Sequence, residues 1–360
     1  MHLDPKIILL IGYDSNLALG VLFCLSGLGY KFYLLSHNRK NAARFSRFIE
    51  TTYYYTDGKD DLKQRIIDLC NKHNIDVIFP YDELETRAVT LLKSELEKYA
   101  KCLMGTNPTF FDIGIHKQYL AEFLHKHQLS SLPFVSLAQK NLVDEFIRNN
   151  PFPILIKPVR MAAGRGIQKL YSATELSEFL DEKNVKAEDY ILQPFVVGTD
   201  ITCNVICING KLKCHTIQES PVKRGANFSS NDILCYHDDP DVVEVIGSMM
   251  QLLHWNGVAC IDLRRDEITR KIYVLEINGR FWASVVPSLL KAGVNFPLIM
   301  LKLSLGESIE IPKMRTAFQI SLKQYLVSLL KFGPYRFKDT KYWPYLFDPI
   351  ARLAQLTLQT

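Results

Sequence analysis

Val258-Ala259-Cys260-Ile261-Asp262-Leu263 and Ile272-Tyr273-Val274-Leu275-Glu276-Ile277, the second running into Asn278-Gly279-Arg280, decide how this chain is read. Both are short β-type runs. A hairpin centred near Thr269 sets Asp262 opposite Glu276. Residues two apart share a strand face, so Glu276, Asn278 and Arg280 point the same way. Two carboxylates and an amide oxygen then converge beside a guanidinium. Hard oxygen ligands of this kind suit Mg2+, which takes a few carboxylates and completes its shell with substrate phosphates. Mn2+ would accept the same oxygens. The arginine suits a phosphate oxygen. A surface hairpin laced with ion pairs would carry the same residues, so the pattern needs support from elsewhere in the chain.

That support lies upstream. Lys157-Pro158 ends an apolar run, Ile154–Pro158, and is followed by Met161-Ala162-Ala163-Gly164-Arg165-Gly166-Ile167. A strand-end lysine before a glycine loop places an ammonium and backbone N–H groups on a polyphosphate, although any turn with two glycines looks similar. Lys117, forty residues earlier, opens a helical pattern where a lysine is ordinarily solvated. Gln193-Pro194-Phe195-Val196-Val197-Gly198-Thr199-Asp200 reads as a strand passing into a turn. A strand crossing between two lobes pairs its backbone with adenine, and a carboxylate just beyond it reaches ribose hydroxyls.

The first 110 residues follow another grammar. Lys6–Gly12 is a continuous apolar run, as expected of a strand buried on both faces. A helix is expected over Asn16–Leu28, a strand over Tyr30–Leu35, a helix over Asp61–His73 and a strand over Asp76–Pro80. This alternation predicts a parallel, doubly wound sheet. No GxGxxG follows the first strand, and the second ends in Ser36-His37 without a ribose-binding acid, which disfavours NAD. Beyond Pro108 come helices at Lys117–His127 and Ala173–Glu182 and strands at Tyr190–Phe195, Ile201–Ile208 and Lys211–Gln218. Asn209-Gly210 marks a tight hairpin. An α+β second domain is expected there.

Together these features resemble the ATP-grasp superfamily, in its carboxylate–amine ligase and carbamoyl-phosphate-synthase-like branch. The resemblance covers about residues 1–312. It implies a Rossmann-like domain at 1–112 and a two-lobed ATP-grasp domain at 113–312, with a small lobe about 113–190 and a large lobe about 191–312. Residues 313–360 would be a basic aromatic extension. Arg280-Phe281-Trp282-Ala283-Ser284 and Ala292-Gly293-Val294-Asn295-Phe296-Pro297 also look like the polysaccharide-locus members of bacteria. The resemblance implies that Lys117, Lys157, Gly164 and Gly166 hold the phosphates of ATP, that Gln193, Phe195 and Val196 take adenine, and that Asp200 contacts the ribose. Asp262, Glu276 and Asn278 would hold Mg2+, with Lys157 and Arg280 serving catalysis. His116 stands where many members have aspartate, Pro194 where a hinge glutamate is common, and Ala162 and Ala163 where glycines are frequent. The implied activity joins a small-molecule carboxylate to an amine through an acyl phosphate. A nucleotide-binding regulatory protein of the same fold is the alternative. Homodimers are common in the superfamily.

The substrate carboxylate would sit between the Gly12 turn and the metal face. Asp82, Glu83 and Glu85 line that rim and either hold an amine or, as favoured here, cap the next helix. Lys223-Arg224 would grip an acidic substrate or simply be solvated. Lys and Arg number 43 against 38 Asp and Glu, a net +5, yet eight basic and two acidic residues after Pro312 make that segment +6. The first 312 residues therefore carry −1, which excludes a nucleic-acid groove as the theme of the fold. Eight scattered cysteines without a CxxC pair read as buried thiols in a reducing cytoplasm. Ile7–Tyr30 is broken by Gly12, Asp14 and Asn16, so a strand, turn and helix fit better than a signal peptide. The aromatic and basic residues after Pro312 would either dock on the body, the favoured expectation, or meet an anionic membrane or a partner.

Overall fold

The computed structural model of the protein describes residues 6–56, 58–161, 164–183, 185–220, 233–340 and 342–358. Ile7–Ile11 (β1) leads through Ser15–Leu25 (α1) to Lys31–Ser36 (β2), Ile49–Tyr54 (β3), Lys59–His73 (α2) and Val77–Pro80 (β4). Glu83–Leu91 (α3), Lys93–Leu96 (α4) and Lys101–Cys102 (β5) complete this part. The five strands pair in parallel in the order β3-β2-β1-β4-β5. Ile8, Leu9, Leu10 and Ile11 are wholly buried, as an apolar run between two helical layers must be. Order reverses between β1 and β4, where the turn after β1 meets the segment after β4. Gly12 is required there, because a Cβ would lie 2.4 Å from the Tyr81 ring. Asp14 caps α1 by accepting from the Asn16 and Leu17 N–H groups at 2.7 and 3.0 Å.

Pro108–Ile115 (α5) and Lys117–Lys126 (α6) lead into an antiparallel sheet of Val135–Ser136 (β6), Ile154–Pro158 (β7), Gln168–Leu170 (β8) and Tyr190–Pro194 (β9), ordered β6-β9-β7-β8. Lys140–Asn149 (α7) and Ala173–Lys183 (α8) cover it, with Phe146, Leu176 and Phe179 packed on Ile154, Ile156 and Leu192. The larger sheet contains Gly198–Ile208 (β10), Lys211–Glu219 (β11), Ile233–Tyr236 (β12), Gly257–Asp266 (β13), Ile272–Asn278 (β14) and Ala317–Ile320 (β15). Its order is β14-β13-β10-β11-β12-β15. Pro240–Leu252 (α9) packs on one face through Val242, Ile246, Met249 and Met250. Val285–Pro287 (α10), a π turn at 288–292 and Phe296–Ser304 (α11) share a second core with α1.

Leu322–Leu330 (α12) and Pro349–Leu358 (α13) follow β15. β15 lies beyond residue 312 yet pairs with β12, Ile233 facing Ile320. Phe347 stacks edge-on against Phe23 of α1 at 5.0 Å, and the buried Arg352 donates to Asn16 at 3.3 Å. Both contacts tie the segment after Pro312 to the body. No single helix among the described residues is long and apolar enough to cross a membrane.

Candidate active site

The hairpin forms in the expected register: Cys260 faces Asn278, Ile261 faces Ile277 and Asp262 faces Glu276. A bulge then shifts the pairing so that Leu263 faces Val274. β10 runs on the other side of β13, with Thr202 opposite Asp262 and Asp200 opposite Arg264. The Thr202 hydroxyl donates to Asp262 Oδ1 at 2.9 Å. Asn278 Nδ2 donates to Glu276 Oε1 at 3.2 Å, and Arg280 donates to Asn278 Oδ1 at 3.4 Å. Glu276, Asn278 and Arg280 thus share one face.

The two carboxyls share a hydrogen bond, and their charge states diverge. Burial, and then the Glu276 charge, push Asp262 up to about 8. Burial acts upward on Glu276 as well, but the Lys117 ammonium and hydrogen bonds from Lys117 and Asn278 outweigh it and hold Glu276 below its ordinary value. Two abutting carboxyls are a donor set that a divalent cation would relieve, and Asn278 here turns its amide NH2 to Glu276 and its oxygen to Arg280. The side chains therefore fit Mg2+.

Two lysines face this pair from α6 and the smaller sheet. Lys117 Nζ lies 2.8 Å from Glu276 Oε2 and donates to the Met161 carbonyl. Its helix is capped by His116, whose Nδ1 accepts from the Tyr119 N–H at 3.4 Å. Burial keeps His116 below the usual imidazole value, so the neutral ring serves as the acceptor that an aspartate would be. Lys157, at the end of β7 and 3% exposed, donates to Gln193 Oε1 at 2.9 Å. Burial lowers its ammonium to about 8, although Glu276 pulls the other way. Gly164 and Gly166 follow at φ 69° and 73°, a conformation that favours glycine. A Cβ on Gly166 would lie 2.8 Å from Pro158 Cγ. Ala162, Ala163, Lys223 and Arg224 lie outside the described residues.

The strand proposed for adenine is partly engaged within the protein. The Phe195 N–H donates to the Pro153 carbonyl at 3.1 Å, and Arg264 Nε donates to the Val196 carbonyl. Arg264 also pairs with Asp200. Phe195 carries Lys169 Nζ 3.7 Å from its ring centre and the Arg264 guanidinium at 5.1 Å. Asp200 is therefore joined to the sheet by a cross-strand ion pair in this state, and Gln193 to Lys157.

On the rim, Asp82 does cap α3, accepting from the Glu83 N–H at 3.0 Å and from the Asp14 N–H at 2.9 Å. Glu83 instead turns to the hairpin and accepts from the Gly279 N–H, beside Arg280; burial raises its carboxyl value. Glu85 is 2% exposed, accepts from the Tyr55 hydroxyl at 2.7 Å and lies 3.4 Å from His37 Nδ1. Thr202, Arg264 and the Glu83–Gly279 link escaped the reading of the sequence. The spacing of Thr202 from Asp200 marks a shared face, but only the β10–β13 register says which carboxylate that face meets.

The ATP-grasp domain family matches residues 116–284. A D-alanine–D-alanine ligase of Prochlorococcus marinus is 24% identical over 275 residues, 68% of this chain and 78% of that protein. The C-terminal section of the carbamoyl phosphate synthase large chain of Aquifex aeolicus is 24% identical over 228 residues, 59% of this chain and 41% of that one. The N5-carboxyaminoimidazole synthetase of Staphylococcus aureus complexed with ADP superposes with a TM-score of 0.69 at 18% identity, over 92% of this chain and 86% of that one. Residues 116–284 therefore match the ATP-grasp domain family, and a parallel sheet precedes them. ATP and Mg2+ are the cofactors of ATP-grasp ligases, and the relatives of this chain are ATP-dependent ligases.

Proposed function

We propose that this protein is an ATP- and Mg2+-dependent ligase that activates a carboxylate as an acyl phosphate for attack by an amine. The observation that carries the proposal is the ion pair of Lys117 with Glu276 of the Asp262–Glu276 pair, whose charge also acts on the buried Lys157, with Asn278 and Arg280 on the same strand face. Lys117 and Lys157 bind the phosphates, and the Gly164–Gly166 backbone covers them and excludes water. Asp262, Glu276 and Asn278 would hold Mg2+, which supplies charge neutralisation between phosphates. Releasing Lys117 from Glu276 to phosphate is the exchange that nucleotide binding requires.

A carboxylate seated between the Gly12 turn and the hairpin attacks the γ-phosphorus, and the bond to the bridging oxygen of ADP breaks. Arg280, held by Asn278, stabilises the charge on the transferred group. The amine then adds to the acyl carbon and inorganic phosphate leaves. Excluding water protects the acyl phosphate from hydrolysis. Glu83 steadies the Gly279 turn that positions Arg280. Gln193, Phe195 and Val196 form the adenine edge, and Asp200 is released from Arg264 when ribose binds. Eight free thiols, seven buried and one half-buried, fit a reducing cytoplasm.

The test is ADP release from ATP and Mg2+ with pooled carboxylates and amines. Turnover that needs both pools, and that falls about 100-fold or more in Glu276→Ala with the fold intact, is the expected result. ATP binding with no pool stimulating turnover would favour the nucleotide-binding regulatory alternative.

A further inference from the structure

Both helices of the C-terminal segment are turned inside out. In α12 Ser328 is buried at 7% exposure, whereas Leu326 and Leu329 are 51% exposed and Leu330 is 83% exposed. Phe332, just past the helix, is 99% exposed. α13 buries Ala351 together with the polar Arg352 and Gln355, while the larger Ile350, Leu353 and Leu356 face solvent. A helix on a water-exposed surface ordinarily buries its apolar stripe, so this arrangement leaves an apolar face without its partner.

Charge identifies the partner. Lys323 and Lys331 are exposed within and beside the α12 stripe, and Arg336 and Lys338 are exposed beyond it. The two acids of residues 313–358 do not offset them: Asp339 pairs with Lys291 at 2.8 Å and Asp348 is 9% exposed. A two-fold contact with a second copy would set like patch against like and oppose these cations. A negatively charged surface with an apolar interior matches both features, and an anionic bilayer is such a surface.

We propose that α12 and the turn after it bind an anionic phospholipid surface peripherally. Leu326, Leu329, Leu330 and Phe332 enter the boundary between headgroups and acyl chains, and Lys323 and Lys331 meet lipid phosphates. The proposal does not depend on the ligase chemistry.

The experiment is co-sedimentation of the 360-residue chain with vesicles of phosphatidylcholine alone or mixed with phosphatidylglycerol. Binding to the mixed vesicles is expected to be at least about tenfold tighter and to weaken with salt. The double variant Leu330→Ser/Phe332→Ser should lose it while melting at an unchanged temperature, since both side chains are exposed. Lys323→Ser/Lys331→Ser should reduce it and flatten the salt dependence. Equal binding to both vesicle types, no binding to either, or full binding by the leucine–phenylalanine variant would overturn the proposal. So would a dimer in sedimentation velocity that the same variant dissociates, which would assign the face to a second copy.

Discussion

Asp262 and Lys157 carry opposite charges in ordinary peptides, and burial moves both to about 8. The consequence is a stability minimum. For Asp262 the folded value exceeds the unfolded one, so between about 4 and 8 the folded state holds the extra proton and stability falls as pH rises. For Lys157 the folded value lies below the ordinary lysine value of 10.5, so stability recovers as pH climbs from 8 toward that value. Thermal melts of the metal-free protein should therefore show a shallow minimum near pH 8. Asp262→Asn should remove the acid arm, and excess Mg2+ should flatten it in the wild type. A monotonic profile across that range would contradict the assignment. Thr202→Val, which deletes the hydrogen bond to Asp262, should lower turnover roughly tenfold with little change in melting temperature, as measured by ADP release and a thermal melt.

Among the elements, the β13–β14 hairpin was the most legible. Its two β-type runs and the polar interval between them dictated the Asp262–Glu276 pairing, and alternation placed Asn278 and Arg280 on the same face. The bulge after Asp262 was not legible, because nothing local marks where a partner strand slips by one. The Asn209-Gly210 turn was also plain: both residues adopt positive φ, 49° and 76°, as the tight hairpin between β10 and β11 requires. A Cβ on Gly210 would lie 2.7 Å from Gln251 Cα in α9. Gly210→Ala should thus cost about 1–3 kcal/mol in chemical denaturation. The apolar pattern predicts a first helix reaching Leu28, but the helix ends at Leu25, because Gly27 and Gly29 turn the chain at φ 75° and 79°.

At the scale of the whole molecule, the segment after Pro312 is stitched in at both ends. β15 extends the larger sheet, and Arg352 sits buried beside α1. Truncation after Pro312 should lower the melting temperature and expose β12 as an open edge prone to association, read by calorimetry and light scattering. Arg352→Ala should cost about 1–3 kcal/mol, since it leaves Asn16 and Gln355 without their donor. Retention of full stability by the truncated chain would show that the segment is an appendage.

Residue types at the strand ends, and their order along the chain, are legible without any coordinates. That sufficed to expect a parallel sheet followed by an ATP-grasp fold. Strand alternation and hairpin spacing are local, and local periodicity survives without knowledge of distant partners. Long-range packing, by contrast, sets Lys117 on Glu276, Arg264 on Asp200 and the Val196 carbonyl, and Glu83 on Gly279. It also decided that two C-terminal helices turn their apolar faces outward. Each depends on which sheet or helix packs across from it, and burial and charge pairing between segments far apart in the chain leave no periodic trace in either one.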